Sequence, residues 1–183
     1  MKNLCEFLTA HIKDSLHVRE SVARGRRAFC LKETATDSAV KWLRLCVPEN
    51  GEFFVFRVPD NLGIKKIFPD YNYSCDYMLF SVSDASIMLI ELKGKKITHA
   101  KKQILYTRPF IHYILNLAKL EQVRIPQYSL KQLIVSCNRK LLRHTNIANT
   151  SCRIQEKQGY VIIRVDHPYV RYEWSDLIHF FPK

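Results

Sequence analysis

The stretch CDYMLFSVSDASIMLIELKGKK, Cys75 to Lys96, constrains the fold of this chain more than any other. Two apolar runs flank a Ser-Asp-Ala-Ser turn and read as a hairpin buried on both faces. The first run nonetheless carries Asp76, and the second ends in Glu91 and Lys93. Ionisable groups on buried strands are costly unless they are paired or hold a metal. The register of the hairpin decides whether the three meet. With a Ser83–Ser86 loop, Asp76 faces Lys93 and has Glu91 as its diagonal neighbour. With a Ser83–Asp84 loop, Asp76 faces Glu91 directly. Any even-numbered loop puts all three on one face, and any odd one separates them.

Opposed strand residues have Cβ atoms about 5 Å apart and diagonal ones about 7 Å, so two carboxylates can reach one cation across either span. Oxygen donors in small number suit Mg²⁺, with water completing the shell. A lysine beside them is no ligand, but it can orient a water or hold a phosphate oxygen. Carboxylates, a divalent ion and a lysine together suit phosphodiester hydrolysis. The bland alternative is a cross-strand ion pair between Asp76 and Lys93.

Charge fits a polyanionic partner. Lys and Arg outnumber Asp and Glu by 29 to 17, a formal net charge of +12. That excess favours nucleic acid first and an acidic membrane second. The runs KGKK at 93–96 and RGRR at 24–27, with Lys101 and Lys102 on the following helix, supply candidate backbone contacts. These are Arg24, Arg26, Arg27, Lys95, Lys96, Lys101 and Lys102; their alternative is solvated surface.

Other chemistries find little support. The six cysteines are scattered without a CxxC pair, which argues against a zinc ribbon or a thioredoxin-type site. They point to a reducing compartment, the cytoplasm, or the nucleus in a eukaryote. The histidines are dispersed, and no GxxxxGK[ST] or GxGxxG loop occurs. Phe53, Phe54 and Phe56 read as sheet core and not as a stacking platform. The N-terminus has no signal-peptide pattern, and no apolar run is long enough to span a bilayer, so a soluble protein is expected.

Along the chain, residues 1–20 have helical spacing through Leu4, Phe7, Leu8, Ile12 and Leu16. TDSAVKWLRLCV, 36–47, reads as a helix capped by Thr36 or Asp37, and EFFVFRV as a strand. KITHAKKQILYTR is helical, Pro109 is expected to break or kink it, and FIHYILNLAKLEQ forms a second piece. SLKQLIVSC and YVIIRVDH are strands, and SDLIHFF is a last helical turn. The expectation is one α/β domain over 1–183, a central mixed β-sheet flanked by helices.

At Asp76 and Glu91-Leu92-Lys93 the chain resembles the PD-(D/E)XK nuclease superfamily, and the run IELKG after an apolar strand is similar to its resolvase-like small members. The likeness covers the stretch from Arg57 to Tyr106. Cys75 stands where the family has a proline before the first acid. Gln103 and Tyr106 are one residue closer than in the family's Q-x-x-x-Y helix motif. The resemblance implies a restriction-endonuclease-like core and a Mg²⁺- or Mn²⁺-dependent hydrolase leaving a 5′ phosphate. Asp76, Glu91 and the Leu92 carbonyl would bind metal, Lys93 would align the attacking water, and Gln103 would be the helical glutamine. Some members add a glutamate from the first helix, for which Glu6, Glu20 and Glu33 are candidates, Glu20 and Glu33 foremost. DNA is expected over RNA, and a homodimer by analogy. The alternatives are a non-catalytic nucleic-acid-binding subunit keeping the fold, or a basic protein that docks on an acidic one.

Overall fold

Burial on both faces organises the chain around three consecutive antiparallel strands. In the computed structural model, residues 3–23, 25–33, 40–59, 73–93, 97–137, 153–157, 159–165 and 167–181 are described. Helix α1 (Leu4–His11) precedes strands β1 (Glu20–Ala23), β2 (Arg26–Lys32) and β3 (Trp42–Cys46). The three-stranded run is β4 (Phe53–Arg57), β5 (Tyr77–Ser81) and β6 (Ser86–Lys93), and helix α2 (Ile97–Leu120) follows it. Then come β7 (Ser129–Cys137), β8 (Arg153–Lys157), β9 (Tyr160–Val165), β10 (Tyr169–Glu173) and the short α3 (Trp174–Ile178).

Two mixed sheets result. One has six strands in the order β4-β5-β6-β7-β9-β8, the other four in the order β1-β2-β3-β10. In the larger sheet β4, β5 and β6 run antiparallel, α2 crosses over, and β7 returns parallel to β6 with β9 parallel to β7. The α/β class expected from the sequence therefore holds.

One face of the six-stranded sheet meets helices. Phe54, Phe56, Met78, Phe80, Ile87, Leu89, Ile134 and Ile162 pack there against Leu4, Phe7 and Leu8 of α1 and Ala100, Ile104 and Ile111 of α2. The opposite face does not. Val55, Leu79, Met88, Ile90, Leu92, Val135 and Ile163 pack against Phe29, Leu31, Leu43 and Leu45 of the four-stranded sheet, with Trp174 and Leu177 of α3. The expected helix-flanked sheet is thus half right: a second sheet covers the far face. Each buried Leu, Phe or Met contributes about 1.5–3 kcal/mol, so both faces matter.

β3 explains the difference. The helix expected over 36–47 is a strand where the structure describes it, since Leu43 and Leu45 are buried while Trp42 and Arg44 are half-exposed, a period of two. Partners on both sides, β2 antiparallel and β10 parallel, override helical propensity. The proposed caps Thr36 and Asp37 lie outside the described residues.

Helices depart from expectation in two further places. α1 stops at His11, opened by a capping box in which Asn3 Oδ1 accepts the Glu6 amide (2.8 Å) and Glu6 accepts the Asn3 amide (2.9 Å). α2 runs unbroken through Pro109, which is exposed, so its missing N–H faces water on the outer side. No described helix is long and apolar enough to cross a membrane.

Candidate functional site

The hairpin turn is Val82–Ala85, four residues, closed by the Ser81–Ser86 pair. Ala85 takes a positive φ of 44° to complete it. Tyr77 pairs with Ile90, so the next rung out sets Asp76 opposite Glu91. This is the direct register, reached through a four-residue turn. Ile87, Leu89, Glu91 and Lys93 share the helix-facing side of β6, because Met88, Ile90 and Leu92 pack toward the other sheet.

Asp76 lies at a bend just before β5 and continues the ladder with its side chain. Its Oδ2 accepts the Leu92 amide at 2.6 Å. Glu91 reciprocates, its Oε2 accepting the Asp76 amide at 3.1 Å. Glu91 is fully buried, and its Oε1 meets Lys93 Nζ at 2.7 Å. That ion pair is the one polar contact of Oε1 among the described residues. Lys93 keeps part of its side chain in solvent.

The electrostatics follow from crowding. Burial pushes the Asp76 carboxyl up, and Glu33 adds to it; the Leu92 amide, Lys93 and Arg57 pull the other way. Burial also pushes Glu91 up, and the neighbouring Asp76 charge adds to it against Lys93. For Lys93, burial favours the neutral amine, but Glu91, Asp76 and Glu33 outweigh it and hold the ammonium above its ordinary value. The two carboxyls repel and titrate as a pair.

α2 secures the approach to Asp76. Gln103 Nε2 donates to the Ser74 carbonyl at 2.9 Å. The Cys75 amide donates to Thr107 Oγ1 at 2.8 Å, and that hydroxyl donates to the Gln103 carbonyl. Tyr73 stacks on Tyr106 with ring centroids 5.8 Å apart. Four successive residues, 73–76, are therefore pinned by one helix and one strand.

Of the two foremost glutamates, only Glu33 comes near. Tyr77 Oη donates to the Lys32 carbonyl (2.6 Å) and accepts its amide (2.9 Å), which brings the end of β2 beside Asp76. Glu20 lies elsewhere, held by Arg27 through Nε–Oε1 and Nη2–Oε2 contacts of 2.7 Å. Glu6 is spent in the α1 capping box.

The predicted basic contacts divide. Arg27 also donates to the carbonyls of Pro48 (3.1 Å), Glu49 and Gly51 (2.9 Å), and Arg26 pairs with Glu173 at 2.9 Å. Both brace the four-stranded sheet and are not brought to the acidic pair. Lys101 sits over the Tyr160 ring at 5.0 Å, while Lys102 is exposed on α2. Arg24, Lys95 and Lys96 lie outside the described residues.

Thr107, Tyr77 and Arg57 escaped the sequence reading. Thr107 had a signal, being the one polar residue on the buried stripe of α2. Tyr77 had none, since its partner Lys32 is remote in the chain.

Two directly opposed, buried carboxylates suit a hard divalent cation with few protein ligands. Among the described residues, no three His, Cys, Asp or Glu side chains converge, so a cation placed here would have the Asp76–Glu91 pair as its side-chain donors. No family model, curated protein or solved structure matches this chain.

Proposed function

We propose that the protein is a divalent-metal-dependent nuclease of restriction-endonuclease-like fold, hydrolysing phosphodiester bonds in nucleic acid, with DNA the expected substrate. The observation carrying this reading is the direct opposition of buried Asp76 and Glu91 with Lys93 against Glu91. A strand-strand-strand-helix-strand order, β4 to β7, supports it, as does the net charge of +12.

Asp76 and Glu91 would hold Mg²⁺ or Mn²⁺, with the Leu92 carbonyl, which leaves β6 on the same side as the amide bonded to Asp76. The ion would supply Lewis-acid polarisation of the phosphate and a water of lowered pKa. Lys93, partly in solvent and paired with Glu91, orients the attacking water and steadies a non-bridging phosphate oxygen. Gln103 and Thr107 act as positioning residues, fixing the backbone that carries Asp76. Glu33 adds negative charge beside Asp76 and Lys93.

The test incubates the purified protein with labelled single-stranded, duplex and branched DNA, with and without Mg²⁺ or Mn²⁺. Metal-dependent cleavage that Asp76→Asn and Lys93→Ala both abolish supports the reading. Cleavage surviving both substitutions overturns it. Tight binding without cleavage by the wild type would instead favour the non-catalytic binding subunit.

A further inference from the structure

The acidic pair is not the only polar feature on the helix-facing side of the six-stranded sheet. Lys93 of β6 pairs in register with Ser136 of β7, and Ser136 with Arg164 of β9. Their neighbours fix the face. Leu133, Val135 and Cys137 of β7 and Val161, Ile163 and Val165 of β9 pack toward the four-stranded sheet. Ile134 and Ile162 pack toward α2. Ser136 and Arg164 therefore project to the same side as Glu91 and Lys93. On the rung before, Glu91, Ile134 and Ile162 line up, so the row turns from apolar to polar at the strands' C-terminal ends.

Lys93 at one end of this row is paired with Glu91, but Arg164 at the other end meets no anion among the described residues. Arg164 Nε is buried without a hydrogen-bond partner among the described residues. Ser136 is buried at 5% exposure on a strand otherwise apolar around it. Lys101, at the start of α2, sits over the Tyr160 ring on this same face of β9 and adds a cation. Buried guanidinium nitrogens are bonded in most proteins, and an arginine fork suits phosphate oxygens. The row lies at the C-terminal ends of parallel strands, where open α/β sheets bind ligands.

We propose that Lys93, Ser136 and Arg164 form a phosphate track, which seats the sugar-phosphate backbone of a nucleic acid strand next to the Asp76–Glu91 pair. Two strand spacings separate Lys93 from Arg164, about 10 Å, so the track takes consecutive phosphates of one strand and not a single ion. Arg164 holds a phosphate by its fork, Ser136 keeps a polar position between the two cations, and Lys93 receives the phosphate entering the acidic site. The inference deepens the nuclease reading and rests on it for the identity of the ligand, though not for the track.

Binding of fluorescein-labelled single-stranded and duplex DNA, read by anisotropy in EDTA over a salt series, tests it separately from cleavage. Arg164→Gln should weaken binding about tenfold and reduce the slope of log K against log salt by about 1. Arg164→Lys should keep the slope and lose several-fold in affinity, because the charge stays and the fork goes. Arg124→Gln, on the exposed segment beyond α2, should change neither. An unchanged slope in Arg164→Gln overturns the track, even if Mg²⁺-dependent cleavage persists. Should Arg164→Gln fail to fold, wild-type affinity in Arg164→Lys overturns it. Arg164-dependent binding with no cleavage under any divalent ion keeps the track and overturns the nuclease reading. Arg164-dependent binding to phosphatidylserine vesicles, with none to DNA, overturns the nucleic-acid assignment.

Discussion

Asp76 and Glu91 hold each other through the main chain: the Glu91 carboxylate accepts the Asp76 amide, and the Asp76 carboxylate accepts the amide next to Glu91. Each acid is thus oriented by the backbone that carries the other. The arrangement keeps two like charges close without letting either rotate away.

Burial first, and neighbouring negative charge second, makes stability depend on pH. Burial, then Glu33, raises Asp76 to about 7; burial, then Asp76, raises Glu91 to about 8. Unfolded carboxyls titrate near 4, so across the interval the folded state binds more protons and loses stability as pH rises. The penalty is absent below about pH 4 and complete above about pH 8. Without divalent ions, the melting temperature should fall between about pH 5 and pH 8. Asp76→Asn should flatten that fall and raise stability at the upper end. A wild-type profile that rises over this interval would count against the pair.

Divalent ions should reverse the penalty. At about pH 8, Mg²⁺ or Mn²⁺ at about 100 times its Kd should stabilise the wild type by about 2.7 kcal/mol, seen as a thermal shift. Asp76→Asn and Glu91→Gln should show little or none. Equal shifts in all three proteins would mean the ion binds elsewhere.

Lys93→Ala separates catalysis from metal binding. Removing the ammonium leaves Glu91 buried without its counter-ion, so the Mg²⁺-induced shift should grow. Cleavage should nevertheless fall by at least about 10²-fold. Retained turnover would remove Lys93 from the reaction.

The α2 clamp predicts an effect at a distance from the charges. Thr107→Val keeps the shape but strands the Cys75 amide, at a cost of about 1–3 kcal/mol. By loosening Asp76 it should also shrink the Mg²⁺ shift, and Thr107→Ser should restore both. A stability loss with an undiminished shift would make Thr107 purely structural.

The hairpin and its charged residues were legible because apolar runs and turn chemistry are local. The register was left open between loops, and a Val82–Ala85 turn, neither of the two considered, places Asp76 against Glu91. What the sequence hid was non-local. Nothing near Trp42–Cys46 announces that β10 will pair with it, so the apolar spacing read as helix. Arg27 looked like part of a basic patch because its partners, Glu20 and the carbonyls of the 48–51 turn, are visible only in the fold. The Lys93–Ser136–Arg164 row likewise depends on parallel pairings whose register no turn dictates.

Strand β10 reaches back to sit beside β3, with Tyr169 opposite Trp42 and Glu173 opposite Cys46. Closing so long a loop is slow, and the face of the larger sheet that it helps to cover stays open until then. A growing polypeptide on the ribosome would therefore carry the apolar surface that Val170, Trp174 and Leu177 complete uncovered until this segment emerges, giving chaperones a defined window of engagement.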